Sequence, residues 1–387
     1  MGGEVDMFTA RFEPAINGYL MYYGTDLYYF SVEDMEEFTS QGIIIKNKQF
    51  PSGAMSAPLQ FQLAITNRCN IRCFNCYNRN KKCDAAAYKN ELKLSQIKAL
   101  LDYLHDWGVL FFQWSGGEPT LSRSLEESVA YAKRKGFTQS LLTNGTLLTE
   151  EKARWAAENF ARVQISFNAV DRFKEWTGVN KFNSLIKGLE KASNYCSQKG
   201  ASLNITTTVN EISITELEKI AYWVDKIDPT HWRIGEEVPL GKAKAQNRHM
   251  ELLEQSYQIF LKVKDHYKKN NWHHCFEVGE ADPLFPVEWQ SSPAGRTMLY
   301  MSAEGNVYPF PYLKMPEFLL GKYPKDDLKN IWFHSQILNE LRMTNYANTG
   351  CNDCKNTCVR WAREINFHFN KNIFEQPATF TNCPRKK

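Results

Sequence analysis

Residues 61–76 read Phe61-Gln62-Leu63-Ala64-Ile65-Thr66-Asn67-Arg68-Cys69-Asn70-Ile71-Arg72-Cys73-Phe74-Asn75-Cys76. The first five have the look of a short buried strand, and Thr66-Asn67-Arg68 reads as the turn that follows it. Three cysteines then fall at C-x-x-x-C-x-x-C spacing. Soft thiolates this close together select zinc or an iron–sulfur cluster over hard cations. A closed structural site would need a fourth cysteine or histidine nearby, and the triad offers three. Cys83, seven residues beyond Cys76, could supply a fourth ligand on spacing alone, a reading that is disfavoured. The preferred reading leaves one iron without a protein ligand, and that open position is where chemistry happens.

Downstream, the apolar run Val109-Leu-Phe-Phe112 leads into Ser115-Gly116-Gly117-Glu118-Pro119. Two glycines let backbone approach a ligand closely, and Glu118 can accept from an ammonium group. Alone, Gly116-Gly117-Glu118-Pro119 reads as a turn. One strand after a three-cysteine loop, it resembles the S-adenosylmethionine (SAM) amino-group motif of the radical SAM enzymes, as the loop resembles their cluster loop. The resemblance implies that Cys69, Cys73 and Cys76 hold a [4Fe-4S] cluster whose open iron is chelated by the amino and carboxylate groups of SAM. Gly116, Gly117 and Glu118 would place SAM. An electron from the cluster then breaks the sulfonium bond, and the resulting 5′-deoxyadenosyl radical abstracts hydrogen from substrate. One position departs from the family: Asn75 stands where an aromatic residue or histidine is usual, flanked by Phe74 and by Tyr77, which is taken as a SAM contact.

With 387 residues, 43% hydrophobic and 13% aromatic, the chain is long enough for two or three packed domains. No window approaches eighteen uninterrupted apolar residues, and Met1-Gly-Gly-Glu-Val-Asp6 has neither the basic start nor the apolar stretch of a signal peptide. A cytoplasmic enzyme that engages no membrane is expected. Ten cysteines, clustered as they are, read as metal ligands kept reduced rather than as disulfides. A net charge of +4, with no basic stripe interleaved with aromatics, gives no footprint for nucleic acid.

From Phe61 to Lys244 short apolar runs alternate with longer amphipathic stretches, the pattern of repeated β-α units around a parallel sheet. Strands are expected at 61–65, 109–114, 140–143, 162–167, 202–209 and 231–234. Helices are expected at 94–107, 124–135, 149–159, 182–199 and 214–227, with capping signals at Ser95 and Thr149. The fold class is therefore α/β. Six such units match the partial (β/α)6 TIM-like barrel of the radical SAM family, here over residues 59–245. Several loops extend the resemblance. Thr143-Asn144-Gly145 follows the third strand. Ser166 and Asn168 end the fourth, where they would hydrogen-bond the SAM carboxylate or ribose, or else cap the strand. Val238-Pro239-Leu240-Gly241-Lys242-Ala243 resembles the segment that lines the adenine.

Residues 246–290 read as a connecting helix, Leu252 to Lys268, and an irregular piece. His273, His274 and Cys275 are neighbours whose side chains diverge on a helix or strand, so surface histidines and a buried thiol are favoured over a metal site. Asp282 is either a substrate contact or a turn-initiating Asp-Pro. In residues 291–387, Cys351, Cys354, Cys358 and Cys383 supply four thiolates, enough for a closed [4Fe-4S] or zinc site. With Gly305-Asn-Val-Tyr308-Pro309 before them, they resemble the outer cluster of the SPASM and twitch extensions. Phe310, Ala294-Gly295 and Ala362 stand where an inner cluster would take cysteines. The resemblance thus implies one auxiliary [4Fe-4S] cluster in a small C-terminal iron–sulfur domain.

Residues 1–58 form an N-terminal β-β-α segment: a hairpin of Gly18–Tyr23 and Asp26–Phe30 around Gly24-Thr25, then a helix from Val32 to Gly42. It resembles part of the leader-recognition modules of peptide-modifying radical SAM enzymes, in which an exposed strand edge takes an extended peptide. A hairpin covering the barrel's edge is the competing reading. The substrate expected is a ribosomally made peptide undergoing cross-linking or a related change, with flavodoxin or ferredoxin as electron donor. The alternatives are a small-molecule dehydrogenase or tailoring enzyme of a cofactor or antibiotic pathway, and a cluster-bearing scaffold.

Overall fold

The computed structural model describes residues 8–36, 42–76, 90–237, 249–275 and 293–343. In chain order its strands are β1 (Phe8–Glu13), β2 (Gly18–Tyr23), β3 (Asp26–Phe30), β4 (Gly42–Lys46), β5 (Gln60–Thr66), β6 (Phe111–Gly116), β7 (Thr138–Thr143), β8 (Arg162–Ser166), β9 (Ser202–Val209), β10 (His231–Glu236), β11 (Trp272–His274), β12 (Met298–Met301), β13 (Asn306–Tyr308) and β14 (Gly321–Lys322). The helices are α1 (Val32–Glu36), α2 (Leu94–Trp107), α3 (Leu125–Arg134), α4 (Glu150–Asn159), α5 (Phe173–Thr177), α6 (Phe182–Lys199), α7 (Ser213–Ile227), α8 (His249–Tyr267), α9 (Leu328–His334) and α10 (Gln336–Met343). Hydrogen bonding orders the strands β3-β2-β1-β4 in one sheet and β11-β10-β9-β8-β7-β6-β5-β12-β13-β14 in a second. Helices alternate with the strands from β5 to β10, the β-α repeat expected of a partial (β/α)6 barrel. The chain divides into two compact units, Met1–Asn67 with Ala87–Ser140 and Asp282–Asn345, and Arg68–Ala86 with Leu141–Ala281 and Tyr346–Lys387.

In the first unit, β5 pairs parallel with β6 and with β12, and β12 turns antiparallel into β13. Every residue of β5 after Gln60 is buried, the near-continuous run typical of a strand covered on both faces. α2 lays Ile97, Leu100, Leu101, Leu104 and Trp107 along one face. It stops at Gly108, whose φ of 94° suits glycine and whose N–H returns to the Leu104 and His105 carbonyls. In the N-terminal sheet β1 lies antiparallel to β2 and parallel to β4. Arg11 and Glu13 on β1 form an ion pair at 3.2 Å with neither side chain exposed. Arg11 also donates to the carbonyls of Pro58 and Gly108 (3.1 and 2.8 Å), and Glu13 accepts from the Ser56 N–H and hydroxyl. Burial lowers the Arg11 pKa, and Glu13 opposes that shift.

In the second unit, β8, β9, β10 and β11 run parallel in continuous register. Leu185, Ile186, Leu189, Ala192 and Cys196 of α6, and Leu217, Ile220, Ala221 and Val224 of α7, supply the buried helix faces. Trp232 stands edge-on to Trp272 at 4.7 Å and donates its indole N–H to Thr207 Oγ1.

The hairpin, α2, α6 and β9 have the expected bounds, and Thr149 caps α4 through the Lys152 N–H. Three local readings change. Gly42 opens β4 rather than closing a helix, and that strand pairs with β1, on which Arg11 and Glu13 are buried as a pair. α2 begins after Lys93, with Gln96 accepting the Lys93 N–H, so Ser95 lies inside the helix. Residues 272–274 are a strand rather than irregular chain. On it His274 is buried, hydrogen-bonded to Ser256 at 2.9 Å, and Cys275 beyond it is only half-buried. Among the described residues no helix is long and apolar enough to cross a membrane.

Candidate active site

In the first unit the glycine motif follows β6. Thr66 at the end of β5 lies in register with Gly116, and the Gly117 N–H donates to the Thr66 carbonyl at 2.7 Å. Gly116 has φ 143°, and a Cβ there would sit 2.3 Å from that carbonyl oxygen. The approach of the two strand ends therefore requires glycine. Glu118 is fully buried, and its Oε1 accepts from the N–H and hydroxyl of Thr120 at 3.2 and 2.6 Å. The residues just before the cysteines are held by two carboxylates that the sequence did not single out. Glu91 accepts from Thr66 Oγ1 (2.9 Å) and the Asn67 N–H (2.7 Å), and Glu304, in the turn between β12 and β13, accepts from Asn67 Nδ2. Burial, and then the Glu304 charge, raise the pKa of the Tyr308 hydroxyl.

In the second unit the cysteine loop lies at the C-terminal ends of parallel strands, where such sheets carry their functional loops. Its backbone is fixed by the Arg72 N–H to Thr177 carbonyl (2.6 Å) and the Phe74 N–H to Trp176 carbonyl (3.0 Å). The Phe74 ring stands edge-on to Trp176 at 5.1 Å. Two side-chain networks grip the loop. At one end Asn144 donates to Asn70 Oδ1 at 2.9 Å and lies 3.9 Å from Cys69 Sγ, while Asn70 donates to Thr146 Oγ1 at 2.8 Å. Gly145 makes that turn possible: its φ is +73°, and a Cβ would meet Ile165 and Leu185 under 3 Å. At the other end Asn75 donates to Glu237 Oε1 at 2.8 Å, and Asn210 donates to the same oxygen at 2.8 Å.

Cys69 is exposed, and Cys73 and Cys76 are half-buried. Among the described residues no three His, Cys, Asp or Glu side chains converge on a position for one ion. Thiolates on separate irons of a cluster need no such convergence, and three soft donors on one short loop fit that group. Ser166 is exposed at the end of β8, and Asn168 Oδ1 accepts the Thr208 N–H at 2.7 Å, so Asn168 bridges to β9 as a strand cap does. Phe310 is half-buried with its ring 5.5 Å from Tyr312. Tyr77, Cys83, Val238 to Ala243, Asp282, Cys351, Cys354, Cys358, Ala362 and Cys383 lie outside the described residues. Of the residues sequence reasoning missed, Asn210 had a signal, a capping amide three positions before Ser213, and Glu237 another, an acid at the end of a parallel strand.

Comparison with known proteins agrees with this geometry. The family model described as the radical SAM superfamily matches residues 63–224. An Fe-coproporphyrin III synthase of Methanosarcina barkeri is 32% identical over 161 residues, 40% of this chain and 38% of that protein, so the chain spans well under half the length of this relative. The mycofactocin maturase MftC of Mycolicibacterium smegmatis is 27% identical over 316 residues, 79% of this chain and 78% of that protein. In fold, the crystal structure of Streptococcus suis SuiB bound to precursor peptide SuiA matches with a TM-score of 0.72 at 14% identity, covering 96% of this chain and 97% of that one. The cysteine triad after β5 and the glycine-glycine-glutamate turn after β6 both lie within the stretch, residues 63–224, over which this chain is similar to the radical SAM superfamily.

Proposed function

We propose that this enzyme matures a ribosomally made peptide. The observation that carries the reading is the likeness to a mycofactocin maturase over 79% of the chain, well beyond the radical SAM region. The fold likeness to SuiB, over 96% of the chain, also supports it. The β3 edge of the N-terminal sheet, with Tyr28 exposed, offers backbone for strand addition by a leader segment.

In this reading Cys69, Cys73 and Cys76 hold the [4Fe-4S] cluster, and Gly116, Gly117 and Glu118 receive the SAM amino group, with Ser166, Asn168 and Tyr77 as further contacts. When bound, the cluster supplies the electron that cleaves SAM to methionine and a 5′-deoxyadenosyl radical, which takes hydrogen from the peptide. Glu118 is buried and already oriented by Thr120, so it presents a fixed carboxylate to an ammonium group. The Asn70–Asn144–Thr146 network holds the Cys69 end of the loop in place. Cys351, Cys354, Cys358 and Cys383 hold one auxiliary [4Fe-4S] cluster in a domain spanning 291–387, beyond a core of 59–245 and a connector of 246–290. A flavodoxin or ferredoxin in the reducing cytoplasm supplies electrons.

The test is the intact mass of short peptides encoded beside the gene. Each is co-expressed anaerobically with wild type and with a variant carrying Cys69→Ala, Cys73→Ala and Cys76→Ala. A mass change such as loss of two hydrogens, seen only with wild type, is expected. Identical masses, with no deuterium uptake from solvent, would sink the peptide reading in favour of a small-molecule substrate.

A further inference from the structure

We propose that Glu237 is a positioning residue for the cysteine loop, acting through Asn75. Asn75 sits between Phe74 and Cys76, and its amide is committed to Glu237 Oε1 at 2.8 Å. That carboxylate is buried, 6% exposed, immediately beyond β10. Asn210, 1% exposed, donates to the same oxygen, and its own Oδ1 accepts the N–H groups of Ile212 and Ser213 at 2.9 and 3.1 Å. Ser213 Oγ in turn donates to the Thr208 carbonyl at 2.7 Å. A continuous chain of hydrogen bonds therefore runs from the end of β9 and the start of α7, through Glu237, to the residue preceding Cys76. Two amide donors on one carboxylate oxygen in a water-poor setting make a stiff link. Outer partners of this kind fix the orientation of ligands, and a buried charge beside the loop lowers the reduction potential of a cluster held there.

The inference rests on the triad holding the cluster, and the experiment separates the two. Full-length wild type, Asn75→Ala, Glu237→Ala, the double variant and Glu237→Gln are reconstituted anaerobically. Iron that depends on the triad is defined against the variant lacking all three cysteines. Its loss to a chelator is timed, and the midpoint potential of the reduced cluster is followed by electron paramagnetic resonance. Each alanine variant is expected to lose that iron about tenfold faster. The double variant should be no faster than either single one, the signature of one shared link. Glu237→Gln, which keeps an acceptor but removes the charge, should raise the potential. Wild-type loss rates and an unmoved potential in the single variants, or effects that multiply in the double, would overturn the proposal. If wild type holds no triad-dependent iron, the cluster reading itself falls and takes this one with it. Should Glu237→Ala not fold, Asn75→Ala, on a half-buried loop position, carries the test.

Discussion

A Cβ on Gly116 would lie 2.3 Å from the carbonyl oxygen of Thr66. The contact joins the ends of β5 and β6, and the next residue, Gly117, donates its N–H to the same oxygen at 2.7 Å. Gly116→Ala must therefore push the strand ends apart in a backbone conformation that L residues rarely adopt. We expect a loss of about 1–3 kcal/mol in chemical denaturation, with weakened SAM binding. Unchanged stability would mean the strand ends separate without cost.

Glu118→Gln keeps the oxygen that accepts from Thr120, so the melting temperature should stay at its wild-type value. What it removes is the charge available to an ammonium group. SAM affinity of the reconstituted enzyme, measured by calorimetry, should fall roughly 10- to 100-fold, the worth of about 1.5–3 kcal/mol for a charge-assisted hydrogen bond.

The cysteines should differ sharply in reactivity. In the metal-free protein Cys69, which is exposed, should be alkylated first, while Cys196, 2% exposed on α6, should react only on unfolding. Burial pushes the Cys196 thiol up to about 12 from an ordinary 9.0. Its neutral form is favoured in the fold, so its contribution to stability is complete below pH 9 and is lost as pH rises from there toward 12. The stability gap between wild type and Cys196→Ala should accordingly narrow above pH 9 in parallel denaturation curves.

Arg11 and Glu13 should be worth more as a broken pair than as an intact one. Glu13→Gln leaves the buried guanidinium without its counter-charge and should cost about 3–5 kcal/mol, whereas Arg11→Met with Glu13→Leu should cost far less. Equal costs in urea titrations would show that the carbonyls of Pro58 and Gly108 alone satisfy the guanidinium.

Some of this was legible because it is local. The thiol triad, the glycine turn and the capping Thr149 each depend on residues within a few positions of one another. The alternation of apolar runs with amphipathic stretches places β5 to β10 and their helices because side-chain periodicity follows directly from backbone geometry. Alternating charge on a strand signals solvent unless a partner lies on the same face, and on β1 Arg11 and Glu13 are each other's partner.

By itself, then, the sequence determined the α/β repeat, the cysteine triad and the glycine-rich turn, since these are set by spacing along the chain. Only the tertiary structure decided that Asn75 meets Glu237 across 162 positions and that Asn67 meets Glu304 across 237. Such contacts depend on the register in which distant strands align. That register is fixed by packing over the whole sheet and leaves no periodic trace near either residue.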